Sequence, residues 1–471
     1  MKKTYGVCLG LLALGFVGLG APASRAHERL VTAEAETGSE TSATSAANSS
    51  SSPSASSPAD LRQRIDALKA ELADLNSELA ADKNTDVAPA TAAPQDQGAP
   101  APATPPATTP PAPMPLPSPS MTAPLATAVP HEVSAGPLGK IEVTGILSGI
   151  GITEGYHVPG DSPTHWDLSN AQVFIQKTTG WFQWYLQGGA YNIPALGVPF
   201  TQTGPTITSL YGPFPTGYVK LVKGNFNVEI GELPTLVGAE YTFSFENMNI
   251  ERGLLWGYEP AISRGVQLNE TYKKLTASFS WNDGYYSDRY TSFSGSLAYA
   301  INAANTLTFV ASGNAGAYNK NTTATPLYLN NSSIYNLIYM YSKGNFMLMP
   351  YFQYSDTPKN VKIGITDSAS TRGGAILANY NFKHGISLAV RPEYVKTSGN
   401  PKDINAINLL AGPGSGAFAF TVTPAYSKDA FFIRAELSVV HIVDSVPGFS
   451  FGTMGKSVNQ PRGVIEAGFL F

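Results

Sequence analysis

The feature that most constrains this chain is a two-residue alternation, in stretches of about ten residues, that recurs from Gly139 to Phe471. Its last instance is the clearest. In Arg462-Gly-Val-Ile-Glu-Ala-Gly-Phe-Leu-Phe471, one face carries Ile465, Ala467, Phe469 and Phe471, and the other Val464, Glu466, Gly468 and Leu470. Successive side chains of a strand point to opposite faces. A strand that is apolar on one side and tolerates a carboxylate on the other fits a wall with lipid outside and a wet lumen inside. Phe431, Ile433, Ala435, Leu437 and Val439 likewise oppose Arg434, Glu436 and Ser438. Ile386, Leu388, Val390 and Tyr394 oppose Arg391 and Glu393, and Leu275, Ala277, Phe279 and Trp281 oppose Thr276, Ser278, Ser280 and Asn282. A charge at the bilayer midplane costs about 2 to 4 kcal/mol, which assigns the charged faces inward.

The connections supply topology. Short turns fall at 178–180, 223–225, 273–274, 302–305, 343–345, 383–385 and 427–429, and long Gly, Pro and Asn-rich connections near 155–163, 193–215, 234–261, 284–290, 317–331, 355–369, 397–414 and 443–460. Seven short and eight long connections join sixteen strands. The expected fold is an all-β transmembrane barrel, antiparallel and up-and-down, with short turns in the periplasm and long loops outside. Sixteen strands leave an aqueous channel where eight would be filled by side chains. Composition agrees: 14% of residues are charged, with 45 glycines and 23 tyrosines, against about 25% charged in a soluble domain. The competing fold, a secreted array of soluble β-sandwiches, explains the alternation but predicts more surface charge. Trp181, Trp184, Tyr218, Tyr351 and Tyr394, near strand ends, suit interfacial girdles.

Residues 1–26 read as a signal peptide: Met1-Lys-Lys, an uncharged run from Gly6 to Gly20, and small residues that place cleavage after Ala26 or Ala23. The apolar run is too short to span a bilayer as a helix. The one cysteine, Cys8, lies in this run outside a lipoprotein pattern, so the exported chain has no disulfide, thiol nucleophile or cysteine-based metal site. Residues 27–56 are Ser, Ala, Thr and Glu without apolar periodicity, and are expected to be disordered. A helix is expected over 57–82, capped by Ser57-Pro-Ala-Asp60. Leu61, Ile65, Leu68, Leu72, Leu75 and Leu79 form an a/d heptad seam. That narrow stripe fits a self-associating coiled coil; the alternative is an amphipathic helix lying on the barrel or membrane. A trimer is preferred, because Leu at a and d does not enforce two strands. Residues 83–138 form a Pro/Ala/Thr-rich linker that, as polyproline II, reaches on the order of 100 Å. Such a reach would hold a periplasmic coiled coil well below a membrane and is compatible with peptidoglycan contact, which no residue demonstrates. Formal charge is about −5 before residue 137 and about +1 after it, so no basic footprint for nucleic acid is present.

One connection departs from the texture of the others. Residues 234–261 carry Glu240, Glu246, Glu251, Arg252 and Glu259 among aromatic and apolar residues. Two readings stand: the segment packs inside the barrel with these charges at a constriction, or the charges form structural ion pairs that pin it, with Arg264 as one partner. Candidate lumen residues on the wall are Lys220, Glu229, Arg264, Arg391, Glu393, Arg434, Glu436 and Glu466. Rings of charge set pore selectivity, and mixed signs predict weak ion preference and passage of small polar or zwitterionic solutes.

Gly231-Glu-Leu-Pro-Thr-Leu-Val-Gly-Ala-Glu240, Glu246-Asn-Met-Asn-Ile-Glu-Arg-Gly-Leu-Leu-Trp256 and Ser263-Arg-Gly-Val-Gln267 resemble the signature of the OmpL-like β-barrel porins. The resemblance covers residues 139–471 and implies a sixteen-stranded outer-membrane porin. A heptad segment ahead of a barrel is similar to DcaP-type trimeric porins. The closing strand with Phe469 and Phe471 resembles the segment that barrel-assembly machinery reads. The implied location is the outer membrane of a Gram-negative bacterium, with a homotrimer in outer-membrane lipid and the amino-terminal region in the periplasm. The alternative function is an envelope anchor tethered through the coiled coil.

An enzyme is not expected. No His-Glu-x-x-His or phosphate-binding glycine loop occurs. Of the six histidines only His157 and His165 lie together, with Asp161 and Asp167; this set reads as a solvated polar loop rather than a metal site, and no cofactor is expected.

Overall fold

The computed structural model describes residues 131–403 and 407–471; the segments read from sequence as signal peptide, disordered stretch and heptad seam, and most of the segment read as linker, fall outside the described residues. Strand β1 (His131–Ser134) folds back on the start of β2 (Lys140–Glu154). The last residues of the stretch read as linker therefore form a small exposed hairpin, with Lys140 Nζ 2.6 Å from Glu132. The chain then meanders through β3 (Thr164–Lys177), β4 (Phe182–Tyr191), β5 (Thr216–Lys223), β6 (Phe226–Pro234), β7 (Ile262–Tyr272), β8 (Leu275–Asn282), β9 (Ser292–Asn302) and β10 (Asn305–Asn314). It continues through β11 (Ser333–Lys343), β12 (Phe346–Thr357), β13 (Ala369–Asn381), β14 (Ile386–Thr397), β15 (Gly416–Lys428), β16 (Phe431–Val443) and β17 (Asn459–Leu470).

Each strand from β2 to β17 pairs antiparallel with its sequence neighbour, and β17 pairs with β2 from Arg462↔Glu154 to Leu470↔Ile146. The sheet is thus a closed sixteen-stranded barrel with no free edge in the ring, which removes the sandwich array. The seven short turns and eight long connections fall between strands where the alternation puts them. Two helices interrupt the long connections, α1 (Thr203–Ser209) and α2 (Leu327–Asn330).

Burial follows the parity read from the sequence. On β16, Phe431, Leu437 and Val439 are exposed to the exterior while Phe432, Arg434, Glu436 and Ser438 are buried. On β17, Ile465 and Phe469 face out, and Arg462, Val464 and Glu466 are buried. The Phe469 ring meets Phe431 edge-on at 5.6 Å, and the Phe471 ring lies where Gly145 has no side chain. Phe279, Trp281, Leu297, Phe309, Leu337, Phe352 and Phe418 continue the apolar outer surface. Two of the residues read as girdle belong inside. Tyr218 and Tyr351 sit on the inward parity of β5 and β12 and are 9% and 4% exposed. Proximity to a strand end decides height in the membrane, whereas parity decides the face.

Leu437, 69% exposed at the middle of β16, offers a direct check on this assignment. Leu437→Arg should lower folding stability in lipid vesicles by about 2 to 4 kcal/mol, measured by denaturant titration, while Leu437→Phe should be near neutral.

Candidate functional site: the loop between β6 and β7 and the wall that holds it

Residues 235–261 connect β6 and β7 and contain two short 3-10 turns, Ser244–Glu246 and Trp256–Tyr258. Nearly every residue of the segment is buried, including Glu240, Glu251 and Arg252 at 0 to 1% exposure. Irregular backbone carries N–H and C=O groups that no ladder satisfies, and burial makes each unpaired group expensive. The loop's own side chains supply some of the partners, and the wall supplies others, from strands β11 to β17, remote from β6 and β7 in the ring.

The segment Asn249-Ile-Glu-Arg-Gly-Leu-Leu255 is held chiefly by carboxylates that accept its amides. Ile250 and Glu251 donate backbone N–H to Glu436 at 2.6 and 3.0 Å. Leu254 N–H donates to Glu393 at 2.8 Å, and Gly253 N–H to Glu240 of the same loop at 2.9 Å. A Cβ at Gly253 would come within 2.6 Å of Glu393 Oε2 and 2.7 Å of Glu240 Oε2, so this position requires glycine for close approach rather than for φ. Gly238 is glycine for both reasons: its φ is +87° and a Cβ would overlap the Glu259 carboxyl.

Arginines serve the carbonyls. Arg434 donates to Asn247 O at 2.9 Å and Ser244 O at 3.0 Å while pairing with Glu466. Arg391 donates to Glu251 O at 2.8 Å, pairs with Glu240, and has its Nε 3.3 Å from Glu393. Arg252, wholly buried in the loop, donates to Thr242 O at 3.0 Å and to Ile250 O. Gln353 donates to Leu255 O at 2.9 Å, and Asn336 accepts from Gly238 N–H at 3.1 Å. Glu466 also accepts from Ser169 and Ser244 hydroxyls, each at 2.8 Å. Ser169 reaches it through a β-bulge: Ser148 faces Asn170 and Gly149 faces Leu168, leaving Ser169 as the extra residue, turned inward beside Asn170.

Seven of the eight wall residues named from sequence lie in these clusters or in a pair of their own. Arg391, Glu393, Arg434, Glu436 and Glu466 contact the loop or a loop-holding partner, and so each bears on its seat. Lys220 and Glu229 pair across β5 and β6 at 2.9 Å on the inward parity. Arg264 behaves differently. It shares the parity of Val266 and Leu268, opposite to buried Gln267, and bonds Asp283 and Asp288 at the rim that carries the long connections, at 2.7 and 2.6 Å, with the Tyr286 ring 3.9 Å away. Sequence analysis had set it among the lumen residues of the wall. Arg462 and Glu154 were missed. Arg462 binds Glu251 at 2.7 Å, Glu154 at 3.2 Å, and the carbonyls of Ala195 and Val198. The signal was available, since Arg462 is four positions from Glu466 on the same strand face.

Two loop carboxyls have neither an arginine nor a lysine in hydrogen-bonding contact. Glu246 accepts Phe243 N–H at 3.1 Å, and burial pushes its pKa up to about 7. Glu259 lies between Glu240 and Glu393 without a hydrogen-bond donor of its own; burial, reinforced by those two neighbours, raises it well above the usual carboxylate range. Aromatic packing anchors the rest of the segment: Phe245 lies 5.4 Å from Phe174 of β3, and Phe243 meets Tyr191 of β4 edge-on at 5.1 Å.

Residues 140–471 match the sequence family described as "Putative beta-barrel porin-2, OmpL-like". A search of curated proteins finds no match. Among solved structures, the chain is similar to OmpF of Salmonella typhi in complex with daunomycin, at 13% identity over 72% of this chain and 100% of that one, with a TM-score of 0.49. It is also similar to the outer membrane channel DcaP of Acinetobacter baumannii, at 8% identity over 74% and 100%, TM-score 0.47. In-vitro folded OmpT, an outer membrane protein of Vibrio cholerae, aligns at 8% identity over 72% and 100%, TM-score 0.47.

Two measurements test this account of the loop's seat. Arg434→Met leaves Glu466 buried and unpaired and two loop carbonyls without a donor, and should cost about 3 to 5 kcal/mol. The loss should not be recovered in Arg434→Met/Glu466→Met, because the carbonyls of Ser244 and Asn247 still lack a donor; denaturant titration of the double-mutant cycle reads this. Glu246 has a folded pKa above its unfolded value, so its contribution favours the folded state at low pH and is lost as pH rises from about 4.5 through 7. Glu246→Gln should therefore raise Tm relative to the parent at pH 8 and change it little at pH 4.5.

Proposed function

This chain belongs to the OmpL-like β-barrel porin family, and we propose that it is a general diffusion channel whose lumen is narrowed by the loop between β6 and β7. As a porin-like barrel it resides in the outer membrane of a Gram-negative bacterium. The observation that carries the proposal is an asymmetry of burial around the lumenal face. On β14 to β17 the inward positions Arg391, Glu393, Thr421, Arg434, Glu436 and Glu466 are buried beneath the loop. On β8 to β10 the inward positions Ser280, Asn282, Ser292, Ser294 and Val310, toward the long connections, are buried, whereas Thr276, Ser278, Ser296, Ala298, Thr306 and Thr308, toward the short turns, are only half-buried. Solute then passes along a side lined by hydroxyls and small residues, with Lys220 and Glu229 as a neutralised pair. The charges of the loop act as its fastening, and ion preference is weak because little unpaired charge faces the path.

Three copies form the working unit in this reading, and the amino-terminal heptad segment lies on the periplasmic side, where the short turns and β1 also lie. Outer-membrane lipid covers the outward faces, and the closing strand with Phe469 and Phe471 is what the assembly machinery recognises. A second reading, an envelope anchor with a filled barrel, draws on the extent of the buried loop.

Planar-bilayer recording separates these readings. Ser278→Arg with Thr308→Arg should move the reversal potential toward anions, whereas Glu246→Gln with Glu251→Gln should leave it unchanged. The opposite result would place the solute path at the loop charges. Absence of any conductance, together with absence of liposome swelling in sugars, would support the anchor.

A further inference from the structure

The first extracellular connection holds a cluster that neither the family nor the channel reading uses. His165 near the start of β3, Glu154 at the end of β2 and Asp161 between them converge: His165 Nε2 and one carboxylate oxygen from each acid lie within 4.8 Å of one another. His165 Nε2 is 3.0 Å from Asp161 Oδ1 and 3.9 Å from Glu154 Oε1. Glu154 has no exposed side-chain surface, and its Oε1, directed at the cluster, has no hydrogen-bond partner; nor does His165 Nε2. The other carboxylate oxygen of Glu154 is engaged by Gln460 at 2.7 Å and Arg462 at 3.2 Å, which fixes the group and leaves Oε1 turned to the histidine. Asp161 is fixed as well, by Ser162 N–H and Phe200 N–H, each at 2.8 Å. The imidazole packs against the Phe200 ring at 4.9 Å.

We propose that Glu154, Asp161 and His165 bind one divalent transition-metal ion of the zinc class. One imidazole nitrogen and two carboxylate oxygens suit such an ion, with a water completing four-coordination. Donor atoms around four-coordinate zinc lie roughly 3.3 to 3.5 Å apart, given bonds of about 2.0 to 2.2 Å. The observed separations reach that spacing with small side-chain rotations. Glu154, Asp161 and Glu251 outweigh Arg462 in the local charge balance, so a dication is favoured. The ion ties the connection at 155–163 to the ends of β2 and β3 and, through Phe200, to the connection at 192–215. The neighbouring His157 and Asp167 are not ligands: His157 Nδ1 faces Val158 O, and Asp167 accepts from Leu168 and Thr203 backbone N–H.

The test uses tag-free full-length protein, refolded in detergent, freed of metal with chelator and titrated calorimetrically with zinc sulfate. Saturable binding of one ion per chain is expected, together with a rise in Tm. Glu154→Gln, Asp161→Asn and His165→Gln should each weaken binding by roughly tenfold to a hundredfold or more, while His157→Gln and Asp167→Asn leave it unchanged. Because Glu154→Gln also disturbs Arg462, and Asp161→Asn keeps only one of the two acceptors used by Ser162 and Phe200 N–H, an unchanged metal-free Tm in each variant guards against loss through misfolding. Cobalt substitution adds a spectroscopic reading, a visible d–d band in the parent that disappears in His165→Gln. Zinc affinity unaffected by all three substitutions, or no saturable binding, overturns the proposal. Channel recordings are independent of this outcome.

Discussion

Everything inside this barrel depends on how a long stretch of irregular backbone is satisfied away from water. A strand ladder pairs its own N–H and C=O groups, whereas residues 235–261 have few such partners of their own. Non-helical backbone is tolerated at membrane depth only where protein or water meets its polar groups. The wall meets them with charged side chains: Glu436 and Glu393 for amides, Arg434 and Arg391 for carbonyls. Charge-assisted hydrogen bonds are roughly twice as strong as neutral ones, which explains why charged rather than neutral residues occupy these sites in a chain otherwise poor in charge.

This view changes what a mixed-sign lumen means. Read as free charges, Arg391, Glu393, Arg434, Glu436 and Glu466 look like a selectivity ring. Located in the structure, each has a counter-charge or a backbone partner within hydrogen-bonding reach. A charge so engaged has little field left for a passing ion, while deleting one side leaves a buried charge uncompensated. The same residues therefore act first on the loop, whose backbone they hold against β14 to β17.

Much of the fold was legible in the sequence because its signals are local. Two-residue alternation is a property of one strand, and a short turn such as Lys343-Gly-Asn345 is a property of a few residues. Parity went wrong where a local cue was asked to answer a different question. Tyr218 and Tyr351 were sorted by nearness to strand ends, and Arg264 was set on the lumen side for its charge, although each obeys the alternation of its own strand. The seat of the loop was not legible, because Glu436 meets Ile250 and Glu393 meets Leu254 across well over a hundred residues. The acidic and arginine content of Asn249-Ile-Glu-Arg-Gly marked the segment as unusual, but its partners are set by barrel closure.

The strand bulge at Ser169 shows how the two levels join. A regular register would send Ser169 to the lipid face, where a hydroxyl gains nothing. One extra residue turns Ser169 and Asn170 inward together, so that Glu466 receives donors from both as well as from Ser244 of the loop. Glu466 in turn holds Arg434, and Arg434 holds the loop at Ser244 and Asn247. A local irregularity in β3, next to the seam where β17 closes on β2, thereby helps fix a segment that begins beyond β6. The position of the loop is a consequence of closure, and a barrel that failed to join β17 to β2 would bring Glu466 to neither Ser169 nor the loop.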